Sequence, residues 1–319
     1  MDGVRLLFLK PEPFQRFADY SLKHAFRLFG CRSLALTLVF AMLACVLCVS
    51  CLRLLRTAFL TSALFFIACR SVAVVGGGWC YSFFRCSGSL CGVLPAYNCA
   101  KSLKKTISEI PQDVVNEIVL VDDFSSDDTI EVAKECCIRH IIKHDRNLGY
   151  GANQKTCYDT ALILDADIIV MLHPDYQYDP KLITAIIEKI LQGADIVLAS
   201  RMMKGLEAVK NGMPLYKYLC NRVLTKFQNF CFKKHLSEYH TGYRAYRKDV
   251  LKSIMYHDFS NDFIFDNQII IAAFSKGYEI QEIYCPARYD NLSSSIRLLC
   301  SVKYGCQVIY YTIKQILKG

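Results

Sequence analysis

The stretch VMLHPDYQYDP, residues 170–180, carries two oxygen-bearing side chains two positions apart, Asp175 and Gln177. In an extended backbone, residues two apart point the same way, which would bring both oxygens to one point. A hard divalent cation such as Mg2+ or Mn2+ uses a few protein oxygens and leaves positions for phosphates and water. A plain X-Pro turn accounts for Asp179 and Pro180 but leaves Asp175 without a task. His173 could ligate the same ion or hydrogen-bond the backbone. Asp122 and Asp123 end an aliphatic run. Acids there can cap the next helix, but Ser125 to Asp128 already supply caps. The surplus carboxylates suit the edge of a nucleobase or a ribose. Arg201, at the end of DIVLAS, and Arg244, in HTGYRAY, are forks of donors that could grip a diphosphate, or solvated surface charges.

These residues need a frame that brings them to one edge. From Leu90 the chain alternates short apolar runs with helical patterns: LCGVLP, ended by Pro95; CAKSLKKTISEI; EIVLVDD; SSDDTIEVAKEC, with Ser126 and Asp127 as cap candidates; IRHIIKH; GYGANQKTCYDTALI; DIIVML; KLITAIIEKILQG; and DIVLAS. Strand and helix in strict turn predict a mostly parallel α/β sheet with helices on both faces. Ligands of such sheets sit at the carboxyl ends of the strands. The polar residues Tyr97, Asn98, Asp122, Asp123, His173 to Gln177, Ser200 and Arg201 all fall at strand ends. There is no G-x-x-x-x-G-K-[ST] loop, and GYGANQ is not a dinucleotide fingerprint.

The formal net charge of +9 invites a nucleic-acid reading. Residues 1–89, however, hold ten Lys/Arg against three acids, so the basicity belongs to an N-terminal extension and nucleic-acid binding loses its support. Within it, residues 33–51 are uncharged and long enough to cross a hydrocarbon core, a candidate transmembrane segment. Cys45, Cys48 and Cys51 lie in that apolar run and read as small hydrophobes, not as a metal site. An odd total of 17 cysteines without a disulfide framework fits a reducing compartment.

LPAYNCAKSL, IVLVDDFSSDDT, HDRNLGYGANQ, DYQYDP, LASR and HTGYRAYRKDVL occur in the order and approximate spacing of the family 2 glycosyltransferases of GT-A (Rossmann-like) fold. The branch they most resemble includes polyprenyl- and dolichyl-phosphate sugar synthases and bacterial cell-surface polysaccharide transferases. The resemblance covers roughly residues 90–295 and leaves 296–319 as a C-terminal amphipathic helix. It implies that Pro95 and Tyr97 line the base, that Asp123 with Asp122 reads its edge, and that Arg146 lies near the base or ribose. Asp175 and Gln177 match the second aspartate and the glutamine of a D-x-D-x-Q metal motif. Arg201 and Arg244 would steady the diphosphate. FIFDNQ stands where the synthases carry F-Q-x-E, placing Asp266 and Gln268 on the acceptor side, and RYDNLSSS resembles their R-x-x-G-x-S element, placing Arg288 and Ser293 near the phosphates or acceptor. His173 replaces the first aspartate of the metal motif, so an ion would rest on Asp175 and the substrate's diphosphate.

The expected reaction moves a sugar from a UDP- or GDP-linked donor to a lipid-phosphate or saccharide acceptor, with Mg2+ or Mn2+ and with inversion. Asp266 is the candidate base for a hydroxyl acceptor. The expected location is the cytoplasmic face of a membrane. Two rivals are a sugar-1-phosphate nucleotidyltransferase, which would want glycines in LPAYNCAKSL, and a catalytically impaired nucleotide-sugar-binding protein of the same fold, suggested by His173.

Overall fold

The computed structural model describes residues 88–286, 288–289 and 298–318. Seven strands form one sheet: β1 Leu90–Ala96, β2 Glu117–Asp122, β3 His140–Lys143, β4 Ile168–Met171, β5 Ile196–Ser200, β6 Arg244–Arg247 and β7 Ile280–Tyr284. Their order is β3-β2-β1-β4-β6-β5-β7. Every pairing is parallel except those of β6, which runs antiparallel between β4 and β5. Helices α1 Ala100–Ser108, α2 Thr129–Glu135, α3 Tyr150–Ile163 and α4 Ile183–Leu191 connect the first five strands. They are followed by α5 Glu207–Lys210, α6 Leu215–Phe232, α7 Lys248–Ser253, α8 Phe265–Ser275 and α9 Leu298–Lys318.

Alternate strand residues feed two separate cores, as a sheet buried on both faces requires. Leu94, Leu120, Val170 and Val197 pack with Leu103 and Ile107 of α1 and Ile183, Ile186 and Ile190 of α4. Their neighbours Val93, Val119, Ile169 and Leu198 pack on the other face with Tyr158 of α3, Val250 of α7 and Phe265 and Ile269 of α8. The run of β1 to β5 with its helices follows the sequence reading. Two strands do not. RAYR in β6 is too short and too charged to show a strand period, and β7 is an edge strand whose residues are only half buried. Pro95 does not end β1; it sits inside the strand opposite Val121.

The connection into α2 also differs in detail. Ser126 caps nothing; Asp127 accepts the Thr129 amide at 3.2 Å and the Ala100 amide at 3.0 Å, joining the starts of two helices. Helix α9 packs against α6 and α8. Val308 and Thr312 are its buried face, and Thr312 Oγ1 accepts from Gln228 Nε2 at 3.1 Å. Among the described residues no helix is long and apolar enough to cross a membrane. Segment 33–51 lies outside them, as does Ser293. The ten described cysteines are all free.

Candidate active site

The carboxyl ends of β1 and β2 form one half of the site. Tyr97, just past β1, is 56 % exposed with its ring clear of the core. The following Asn98 takes a left-handed backbone (φ 50°), and its Oδ1 accepts the Ser126 amide at 2.9 Å. Asp122 is buried; its Oδ2 accepts the Ser125 amide at 3.0 Å while its Oδ1 has no partner. Asp123 organises the loop after β3. Its Oδ1 accepts from His144 Nδ1 at 2.8 Å and the Leu148 amide at 2.8 Å, and its Oδ2 accepts the Gly149 amide at 2.9 Å. A carboxylate has about four lone-pair positions, so Asp123 keeps only one of them for anything else. Gly149 has φ 97°, and a Cβ there would stand 2.7 Å from the Asn261 carbonyl oxygen, which explains a glycine at the start of α3. Arg146, in the same loop, is exposed.

The turn after β4 is not extended, so the alternation that would join Asp175 to Gln177 does not operate. Tyr176 between them has φ 58°. Asp175 Oδ1 instead accepts the Gln177 amide at 3.1 Å, a local turn bond. The Tyr176 side chain is buried; its hydroxyl donates to Glu109 and the Arg288 guanidinium lies 4.4 Å from the ring centroid. The Arg288 amide donates to the Gln177 carbonyl at 2.8 Å, and its Nη1 is buried without a partner. Asp175 still lies on the same edge as Asp122. Burial pushes the Cys99 thiol up to about 12, a Thr129 hydrogen bond opposes this, and the carboxylates of Asp127, Asp122 and Asp175 add to the rise.

His173 marks the centre of the other half. Its ring stacks between Tyr150 (centroids 5.6 Å apart) and Tyr178 (6.1 Å). It bonds neither the backbone nor a second imidazole: its Nε2 is 3.1 Å from the Tyr150 hydroxyl. That hydroxyl donates to Asp266 Oδ2 at 2.7 Å, so its one proton is committed and His173 must donate from Nε2. Burial holds the imidazole below its usual range, Asp175 and Asp266 pull it back up, and Arg244 and Arg201 oppose them. Two acids and two arginines thus act on this ring through their fields, while its direct contacts are Tyr150 and Tyr178. Gly242 makes room for it, since a Cβ there would sit 2.3 Å from His173 Nε2.

The two arginines turn out differently from a diphosphate clamp. Arg244 is fully buried. Its Nε, Nη1 and Nη2 donate to the carbonyls of Thr241 (2.7 Å), Asp266 (2.7 Å) and Tyr239 (3.2 Å), and Nη2 lies 3.7 Å from Asp266 Oδ2. It holds the start of α8 and cannot reach a ligand in this state. Arg201 is paired with the fully buried Glu238, which also accepts the Arg201 amide at 2.8 Å and Asn221 Nδ2 at 2.8 Å. Its Nη1 donates to the Tyr289 hydroxyl at 3.0 Å and its Nη2 to the His240 carbonyl at 3.0 Å. Two N–H bonds on Nη1 with one acceptor leave a donor over, so Arg201 keeps some capacity for an anion. Asp266 is 6 % exposed, with Gln154 Nε2 donating to its Oδ1 at 3.0 Å. Gln268 is turned to the chain itself: its Oε1 accepts the Ser260 amide at 2.9 Å.

Among the described residues no three His, Cys, Asp or Glu side chains gather as a metal-binding group. An ion beside this turn would have Asp175 as its protein carboxylate. That is compatible with Mg2+ or Mn2+, which bind through one or two carboxylates when phosphates complete the shell. The sequence reading missed Tyr150, Gln154, Glu238 and His240. Tyr150, Gln154 and Tyr158 recur every four residues along one face of α3, a polar stripe that could have been noticed. His240, whose Nδ1 lies 2.8 Å from the Tyr304 hydroxyl of α9, had no such signal.

The family model for "Glycosyl transferase family 2" matches residues 92–255, just over half of the chain. The UDP-N-acetylglucosamine–dolichyl-phosphate N-acetylglucosaminyltransferase of Methanococcus voltae is 28% identical over 176 residues, covering 50% of this chain and 70% of that protein. The dolichol-phosphate mannosyltransferase of Pyrococcus furiosus is 29% identical over 170 residues, covering 51% of this chain and 47% of that one. Among solved structures, glucosyl-3-phosphoglycerate synthase from Mycobacterium tuberculosis, in complex with Mn2+, UDP-glucose and phosphoglyceric acid, superposes with a TM-score of 0.54 at 17% identity, over 72% of this chain and 80% of that one. That likeness is one of fold, and the sheet order and flanking helices are GT-A. The chain is a glycosyltransferase and belongs to glycosyl transferase family 2.

Proposed function

We propose that the chain transfers a sugar from a nucleoside-diphosphate sugar to a polyprenyl- or dolichyl-type lipid phosphate at a membrane surface. The observation that carries this is the hydrogen-bonded chain from Asp266 through Tyr150 to His173, at the same carboxyl-end edge of the sheet as Asp175, the buried Asp122 and the exposed Tyr97. One side offers an exposed aromatic ring and a buried, unpartnered carboxylate oxygen for a base and ribose, with Pro95 in the strand that leads to the ring. The other offers a shielded carboxylate for the acceptor. Relatives that act on dolichyl phosphate and a fold neighbour that holds Mn2+ with UDP-glucose support the same reading. Saccharide acceptors remain an alternative arm of the test.

In this reading Tyr97, Asp122 and Asp123 seat the nucleotide, and Arg146 flanks it. Asp175 would hold Mg2+ or Mn2+, which when bound neutralises charge on the leaving diphosphate. Arg201 and Arg288, each with an unused donor, face the phosphates; Gln177 and Gln268 shape the turn and the loop around them. Asp266 receives the proton of a hydroxyl acceptor, whereas a phosphate acceptor arrives ionised and needs Asp266 only for position. A single displacement of this kind inverts the anomeric centre. Residues 90–295 form the catalytic unit, with 1–89 as an appendage.

The membrane side is supported by α6 and α9, packed side by side and without a single acid between them. Leu215, Leu219, Val223 and Phe230 stand exposed on α6 beside Lys226, and Lys303, Tyr310 and Lys314 on α9. Apolar residues between lysines suit the interface of an anionic bilayer. The deciding experiment supplies UDP- and GDP-sugars, Mn2+ and detergent-dispersed dolichyl phosphate or free saccharides to the wild type and to Asp175→Ala. Nucleoside diphosphate release that needs the lipid phosphate and falls at least a hundredfold in the variant supports the reading. No release with any donor and acceptor would sink it.

A further inference from the structure

We propose that Tyr150 is a positioning residue of the transfer reaction: its hydroxyl, oriented by His173, fixes one oxygen of the Asp266 carboxylate while Gln154 fixes the other, leaving one lone pair on each for the acceptor. This rests on the reading of Asp266 as the acceptor-side carboxylate. The contacts are Tyr150 Oη to Asp266 Oδ2 at 2.7 Å, Gln154 Nε2 to Asp266 Oδ1 at 3.0 Å and His173 Nε2 to Tyr150 Oη at 3.1 Å. Behind them the Tyr158 hydroxyl donates to Gln154 Oε1 at 2.7 Å, which turns the Gln154 amide so that its nitrogen faces Asp266. Tyr150, Gln154 and Tyr158 are one face of α3, and Tyr158 is fully buried against Tyr246 and Phe265. The clamp is thus anchored in the core and opens toward the site.

Nothing in the surroundings lets it slide. A Cβ on Gly151 would stand 2.4 Å from the Ser260 carbonyl oxygen and 2.9 Å from Phe265 Cβ, so the start of α3 lies directly on the segment leading into α8. The Tyr150 ring packs on Phe263 at 4.9 Å, and Arg244 Nη1 holds the Asp266 main-chain carbonyl. Burial and the adjacent Asp266 carboxylate hold the Tyr150 phenol well above its usual range, so it stays protonated and serves as a donor. Hydrogen bonds aimed in this way matter to geometry as well as stability, because small misplacements of a reacting group cost large factors in rate.

The test compares full-length Tyr150→Phe, Asp266→Asn and the double variant, with nucleoside diphosphate release as the rate and UDP binding measured separately. The expected result is a kcat about tenfold or more lower in Tyr150→Phe, with donor KM and UDP affinity unchanged. In the Asp266→Asn background the tyrosine substitution should cost nothing further, since the group it positions is gone. Multiplying losses, or wild-type kcat in Tyr150→Phe beside a slow Asp266→Asn, overturn the clamp and leave the reading of Asp266 standing. Wild-type kcat in Asp266→Asn removes that reading and the clamp with it. If Tyr150→Phe does not fold, Gln154→Met removes the other arm and must show the same split between kcat and KM.

Discussion

The two halves of the site are built on opposite principles. The edge at β1 and β2 is open: Tyr97 is more than half exposed, Arg146 lies in solvent, and Asp122 keeps a buried oxygen without a partner. The half at β4, β6 and β5 is closed and saturated, with Arg244, Glu238 and Asp266 shielded and bonded on nearly every polar atom. An open edge can accept interchangeable ligands and release them. A saturated one holds a reacting group still and does not reorganise when charge moves. The arginines illustrate the difference, since both are consumed mainly by the protein in holding Asp266 and the loops around it.

Substitutions should therefore damage the two halves in different ways. The largest effect is expected for Glu238→Ala, which strands the Arg201 guanidinium in a buried place; a loss of about 3–5 kcal/mol should appear in denaturant unfolding. A Tyr97→Ala variant should unfold like wild type yet bind nucleotide about 1–3 kcal/mol more weakly by calorimetry, through the lost stacking surface. Gly242→Ala drives a methyl into His173 and should lower stability by about 1–3 kcal/mol, read as a drop in thermal midpoint that Gly193→Ala, with open space around it but strained at φ 112°, reproduces only in part.

A further effect is one of pH. Burial pushes His240 down to about 3, so the folded protein holds it neutral where the unfolded chain protonates near 6.5. Between those values the unfolded state binds the extra proton, so stability is full above about pH 6.5 and declines as pH falls toward 3. His240→Gln should flatten that part of a midpoint-against-pH curve. An unchanged slope would show that His240 is not what titrates there.

Much of the closed half could not be read from the chain. Aliphatic runs such as EIVLVDD and DIVLAS carry their burial in their composition, and the strands, helices and parallel sheet followed from them. RAYR does not: its first arginine is among the most deeply buried side chains, and only the fold reveals that three carbonyls and a carboxylate wait for it. The place of Asp175 just past a strand end was legible, but its relation to Gln177 depended on the backbone of Tyr176, and a tyrosine at positive φ leaves no mark in sequence. Tyr150 was hidden for a similar reason, since its partners His173 and Asp266 lie 23 and 116 residues away.

The most direct test of the account measures two quantities on one protein, the rate of sugar transfer and the affinity for nucleotide, in Asp266→Asn. If the closed half holds the reacting group and the open half holds the donor, kcat should fall by about a hundredfold or more while nucleotide affinity stays at the wild-type value. A parallel loss of both, or an undiminished rate, would contradict that division.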